Sequence, residues 1–129
     1  MIQKFIPLGE GYADFYELLT LGKTMSNRVK HFIAFHSTKK DESKTSIAIV
    51  MNPTDPGKFQ PIYICLEGIP SPSVKASKRY EMFEKLAEEQ HKKVISIQVQ
   101  PSSHFGEREL YFQYLIAILR TNHYIAPLQ

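Results

Sequence analysis

The sequence predicts an α+β fold: a single domain of β-α-β-β-β-α-β-α order, with a mixed five-stranded sheet, a central antiparallel meander and three helices. Three observations carry this expectation. The chain has 129 residues, the size of one hydrophobic core. Three segments read as helices, two by apolar spacing and one by being apolar nearly all round. Five shorter segments rich in β-branched and aromatic residues are separated by Gly, Pro, Asn and Asp.

Ile2 to Leu8 reads as a short strand, and Gly9-Glu10-Gly11 as the turn after it. From Tyr12 to about Asn27, apolar residues at Tyr12, Phe15, Tyr16 and Leu19, and at Leu18, Leu21 and Met25, fall three and four apart. That spacing predicts a helix with a broad buried face. Asp14 and Glu17 near its start and Lys23 and Arg28 near its end complement the helix dipole. Lys30 to His36 is rich in strand formers, whereas Ser37 to Lys44 is charged, lacks periodicity and reads as a loop. Ser46 to Met51 is apolar on both faces, which predicts a central strand. The turn formers of Asn52 to Lys58 separate it from a third strand, Pro61 to Glu67.

Gly68 to Ser73 breaks the chain with two prolines. Lys75 to about Lys92 then forms the clearest amphipathic helix, with Tyr80, Phe83, Leu86, Ala87 and Gln90 in one stripe. Val94 to Gln100 alternates strictly, Ile95, Ile97 and Val99 against Ser96, Gln98 and Gln100, which predicts a half-covered strand near an edge. Glu107 to Asn122 is a helix whose middle, Leu110 to Leu119, is apolar nearly all round. Such a helix is buried on more than one side, or is shared with a second copy of the chain. The sequence therefore predicts a homodimer through Leu110–Leu119 and the apolar tail from Ile125 to Gln129.

Composition narrows the function classes. The hydrophobic fraction is 43% and the charged fraction 22%, ordinary for a globular protein. A net charge of +3 gives no support for nucleic-acid binding, which concentrates many more Lys and Arg on one face. The single cysteine, Cys65, sits in an apolar run and reads as a buried thiol. With no disulfide available, no signal-peptide pattern at Met1 to Leu8 and no membrane-length apolar run, the expected compartment is the cytoplasm.

Motifs for common chemistries are broken. Gly9-Glu10-Gly11 stands where a dinucleotide fingerprint would, but Asp14 occupies the third glycine position. A carboxylate at a helix start repels phosphate. No phosphate-cradling glycine loop occurs, so no cofactor is expected. The five histidines, His31, His36, His91, His104 and His123, share neither the strand nor the helix spacing that gathers metal ligands, so no metal is expected either. The polar face Ser96, Gln98 and Gln100, leading to Ser102, Ser103 and His104, reads as a solvated sheet face that could also line a pocket at a strand end.

These absences favour a non-catalytic cytoplasmic binding or regulatory module that self-associates. A small-ligand pocket within it would draw on Tyr12, His31, Tyr63 and His104. The alternative comes from element order. Helix, three-strand meander, helix and strand is also the core order of restriction-endonuclease-like nucleases, an analogy of fold alone. That family places acids at the second and third strands to bind a divalent metal, with a lysine that helps activate water. Here Glu17, Asp55 and Glu67 would supply a carboxylate site, catalytic in an active member and vestigial in a divergent or inactive one. Ile69 stands where the lysine should, two residues after Glu67.

The chain also resembles, end to end, a family of short uncharacterised bacterial proteins of about 130 residues. The resemblance rests on Met1-Ile2-Gln3, Gly9-Glu10-Gly11-Tyr12, Pro53-Thr54-Asp55-Pro56-Gly57, Tyr63-Ile64-Cys65, Glu67-Gly68-Ile69-Pro70 and Asn122-His123-Tyr124. It implies a small bacterial cytoplasmic protein and supplies no mechanism. Some members carry a small-sugar kinase label, which this chain does not support. It has no phosphate loop, no His-Arg-Asp and no Asp-Phe-Gly.

Overall fold

A computed structural model describes residues 2–8, 12–39, 42–53, 59–70 and 77–127. The elements are β1 (Ile2–Pro7), α1 (Tyr12–Thr24), β2 (Val29–Lys39), β3 (Glu42–Met51), β4 (Phe59–Pro70), α2 (Lys78–Glu89), β5 (Val94–Val99) and α3 (Arg108–Thr121). Short 3₁₀ turns at Ser26–Arg28 and Ser102–His104 lead into β2 and α3. The order and the mixed five-stranded sheet match the expected fold.

The sheet runs β1-β4-β3-β2-β5. β3 pairs antiparallel with both neighbours, while β1 pairs parallel with β4 and β5 parallel with β2. β3, apolar on both faces, is central, and every residue from Thr45 to Met51 is buried. The half-apolar β5 is at one edge. Four strands thus point one way, and the C-terminal ends of β1, β4, β2 and β5 share one rim of the sheet.

Strand alternation sorts side chains onto two faces. Phe32, Ala34, Ile47, Ile49 and Cys65 pack against Phe15, Leu18 and Leu19 of α1 and Tyr80, Phe83, Leu86 and Ala87 of α2. Ile33, Phe35, Val50, Ile62 and Ile64 pack on the other side against Tyr111, Phe112, Leu115 and Leu119 of α3. The result is three layers, with two helices on one face and one on the other. Gly22 lets α1 settle against α2. A Cβ at that position would come within 2.9 Å of both Ile49 Cδ1 and Leu86 Cδ2.

The structure corrects several boundaries. Ser37 to Lys44 is not simply a loop. β2 continues to Lys39 and β3 begins at Glu42, with Ser37 opposite Lys44 and Thr38 opposite Ser43. Serine and threonine pairs replace apolar ones there, with Thr38 Oγ1 3.3 Å from Ser43 Oγ, so periodicity vanishes while backbone pairing persists. β4 likewise extends to Pro70. Tyr16, expected on the buried face of α1, is 41% exposed.

The apolar excess of α3 is largely absorbed within the chain. Tyr111, Phe112, Leu115 and Leu119 are buried on the sheet, leaving Leu110 as its one large exposed hydrophobic. The tail docks too. Ile125 is buried, and Gln3 Nε2 donates to the Ala126 carbonyl at 3.0 Å. Gln3 also accepts from Arg120 Nε at 2.8 Å and donates to Gln60, fastening α3 and the tail to the β1 end of the sheet.

Candidate functional site

The most specialised group of side chains lies on the α1/α2 face, toward the shared C-terminal rim. His36 of β2 follows Phe32 and Ala34 on that face and is only 7% exposed. Thr45 of β3 is its direct cross-strand partner. Their side chains meet, with His36 Nδ1 2.8 Å from Thr45 Oγ1. Ser96 lies diagonally across the parallel β2–β5 pair, and its Oγ is 3.2 Å from His36 Nε2. Tyr80, in the first turn of α2, closes the group from above, its ring centroid 6.2 Å from that of His36. A register shift between Thr45 and Ile47, with three β4 residues (66–68) spanning what one β3 residue spans, bends the sheet beside Thr45.

The cluster carries no formal charge. Burial holds the His36 imidazole below its ordinary titration range, so it is neutral at neutral pH. A neutral imidazole has one donor and one acceptor nitrogen, so Thr45 and Ser96 must play opposite hydrogen-bonding roles. Burial also raises the Tyr80 phenol, aided by the nearby Glu84 charge and opposed by a hydrogen bond with Ser96. Thr45 is fully buried, while Ser96 and Gln98 are exposed on the same face of edge strand β5. The cluster therefore begins in the core and opens onto a polar shelf.

The other histidines have other roles. His91 and His123 sit in the left-handed region, with φ of 58° and 63°. Each follows a helix, and the same closing bonds form at both ends. His91 N donates to Glu88 O and Lys92 N to Ala87 O, while His123 N donates to Arg120 O and Tyr124 N to Leu119 O. These are Schellman caps in which histidine occupies the usual glycine position. His31 lies on the α3 face, edge-on to Tyr124 with centroids 5.5 Å apart. Burial lowers its titration range first, then the charges of Lys30 and Lys92, against a hydrogen bond with the Tyr124 backbone.

The structure does not gather the four ligand candidates, Tyr12, His31, Tyr63 and His104. His31 and Tyr63 project from opposite faces of the sheet, because their strand positions have opposite parity with respect to the core clusters. His104 is exposed in the turn after β5, against Phe105. Tyr12 opens α1, and its side chain lies outside the described set. Of the carboxylates, Glu17 is exposed on α1, Asp55 lies outside the described residues, and the Glu67 side chain is likewise not described. Among the described residues, no three His, Cys, Asp or Glu side chains come together as a metal site. No helix among them is long and apolar enough to cross a membrane.

Ser96 was legible as part of an alternating polar face, but His36, Thr45 and Tyr80 were not. The available signal was the parity of His36 with Phe32 and Ala34, which aims it at the amphipathic helix. No curated protein and no solved structure matches the chain. A family model does match, over residues 1–125, a span from the first strand to the buried Ile125 of the tail. The chain belongs to the family described as Domain of unknown function (DUF7147).

Proposed function

We propose that the chain is a non-catalytic binding module of the bacterial cytoplasm that takes a small uncharged polar ligand on the Ser96 shelf and associates with a second copy of itself. The observation that carries the ligand reading is the His36 bridge. One buried neutral ring joins an internal hydroxyl, Thr45, to an exposed one, Ser96. Such a ring fixes the direction of the Ser96 hydrogen bond, and Gln98 adds amide donors and an acceptor beside it. Among the described residues the group formed by His36, Thr45, Ser96 and Tyr80 carries no cationic side chain, and Glu84 near Tyr80 disfavours an anion. The buried thiol of Cys65 fits a reducing compartment.

A thermal-shift screen of neutral polyols, amides and nucleosides, beside anionic and cationic compounds, tests the reading. The expected result is stabilisation by a neutral compound that disappears in Ser96→Ala. Stabilisation by anions alone, or equal stabilisation of the variant, removes it.

One distance favours a second reading. Ser96 Oγ lies 3.2 Å from a neutral imidazole nitrogen, which suits proton transfer from the hydroxyl to His36 as Ser96 attacks an activated acyl group, whose bond to its leaving group breaks as His36 passes the proton on to that group. Thr45 would then accept from His36 Nδ1–H, a weaker orienting partner than a carboxylate. Labelling of Ser96 by a fluorophosphonate probe, abolished in His36→Gln, is the expected outcome of this reading. An unlabelled serine rejects it.

A further inference from the structure

The two edges of the sheet are guarded differently. β1 carries Lys4 and Pro7, both exposed, the residues that keep a free edge from pairing with another chain. β5, Val-Ile-Ser-Ile-Gln-Val, carries neither a charge nor a proline along its length. Among the described residues it pairs only with β2, and no strand lies on its outer side. On the α3 face the core is fully covered over β2, β3 and β4 but only half-covered along β5, at Ile95, Ile97 and Val99. Phe105, which precedes α3, and Tyr114, in its middle, are half-covered in the same cluster.

From this edge we infer that β5 is the self-association surface, pairing antiparallel with β5 of a second copy to make one continuous ten-stranded sheet. This deepens the self-association part of the proposed function and rests on it. The occupant is a second copy because the strand is complementary to itself. A two-fold axis perpendicular to the sheet keeps both α3 layers on one side. It pairs residues whose numbers sum to an even value, so Ile95, Ile97 and Val99 meet one another and Ser96 and Gln98 meet one another. The rim of each core is then completed by the other. Charges agree as well. Lys92 and Lys93 precede β5, while Glu107, Arg108 and Glu109, together one net negative charge, open α3 beyond its far end. Antiparallel pairing brings the basic end of one copy toward the acidic end of the other. On the opposite face the two Ser96–Gln98 shelves become neighbours, so each copy borders the ligand site of the other.

Light scattering on the full chain, up to about 100 µM so that a weak interface of this size is populated, tests the inference. The wild type should dimerise. Ile97→Lys, which sets two ammonium groups near the axis, should abolish the dimer. Gln98→Lys, at an exposed position that leaves the fold intact, should weaken it by at least tenfold. Leu110→Lys on the outer face of α3 and Lys4→Gln on β1 should leave it unchanged, with circular dichroism checking each fold. A monomeric wild type overturns the inference together with self-association. A dimer broken by Leu110→Lys and kept by Gln98→Lys overturns β5 pairing alone and leaves self-association standing, through α3. Ligand binding is read separately, by the thermal shift of Ser96→Ala.

Discussion

The two faces of the sheet are built from the same strands yet do different work. On the α3 face, Ile33, Phe35, Ala48, Val50, Ile62 and Ile64 form the core and Phe5 stacks on Phe112 at 5.1 Å, while the buried polar residues Ser37, Ser46 and Gln60 lie at the ends of that core, Ser37 and Gln60 donating to the backbone carbonyls of Lys44 and Met51. On the α1/α2 face, the same strands place His36 and Thr45 in the interior and lead outward to Ser96. Buried polar groups cost stability unless each is paired. A domain of this size gains nothing in packing from an imidazole that a leucine would not give. The difference therefore points to use rather than to folding.

The largest effect that sharpens this comparison belongs to the α3 face. Phe35→Ala should cost about 3–5 kcal/mol by removing a fully buried ring, measured by urea denaturation, and should leave ligand binding unchanged in the surviving folded fraction. On the α1/α2 face, Thr45→Val keeps the volume but strands His36 Nδ1 in the interior, and should cost about 1–3 kcal/mol. Equal tolerance of both changes would erase the distinction between the faces.

A pH titration of stability tests the buried His36 in another way. The folded His36 titrates below the ordinary histidine value near 6.5, so the unfolded chain takes up its proton first as pH falls. Stability is full above that value and is lost as pH falls from there to the depressed folded value. His31 contributes in the same direction. His36→Gln should therefore flatten part of the acid-side loss, and an unchanged pH profile would contradict a buried neutral His36.

The smallest effect lies outside both faces. His91→Gly and His123→Gly should each stabilise the chain by about 1 kcal/mol, because glycine adopts the left-handed cap without a Cβ penalty. A loss of stability at either position would mean that the imidazole makes an interaction beyond its cap.

Much of the fold could be read from periodicity. The alternation of Ile95, Ile97 and Val99 marked an edge strand, and the doubly apolar Ser46 to Met51 marked the centre. The hairpin beyond Ser37 could not be read, because its serine and threonine pairs leave no hydrophobic signal. The site was hidden for a different reason. His36, Thr45 and Ser96 become neighbours only through strand register, and register across the α2 crossover is written in no local pattern. Asn122-His123-Tyr124 shows the converse. It was visible as part of the resemblance, and the structure gives it a local role, the cap of α3 with Tyr124 turned onto His31.

The central claim is that ligand is taken beside His36. The most direct measurement is the ¹⁵N spectrum of the histidine side chains, recorded with and without the neutral compound that stabilises the wild type most. Binding beside His36 predicts a neutral His36 whose two nitrogen resonances shift on binding, while those of His91 and His123 stay fixed. Saturable binding that leaves the His36 resonances unmoved would contradict it.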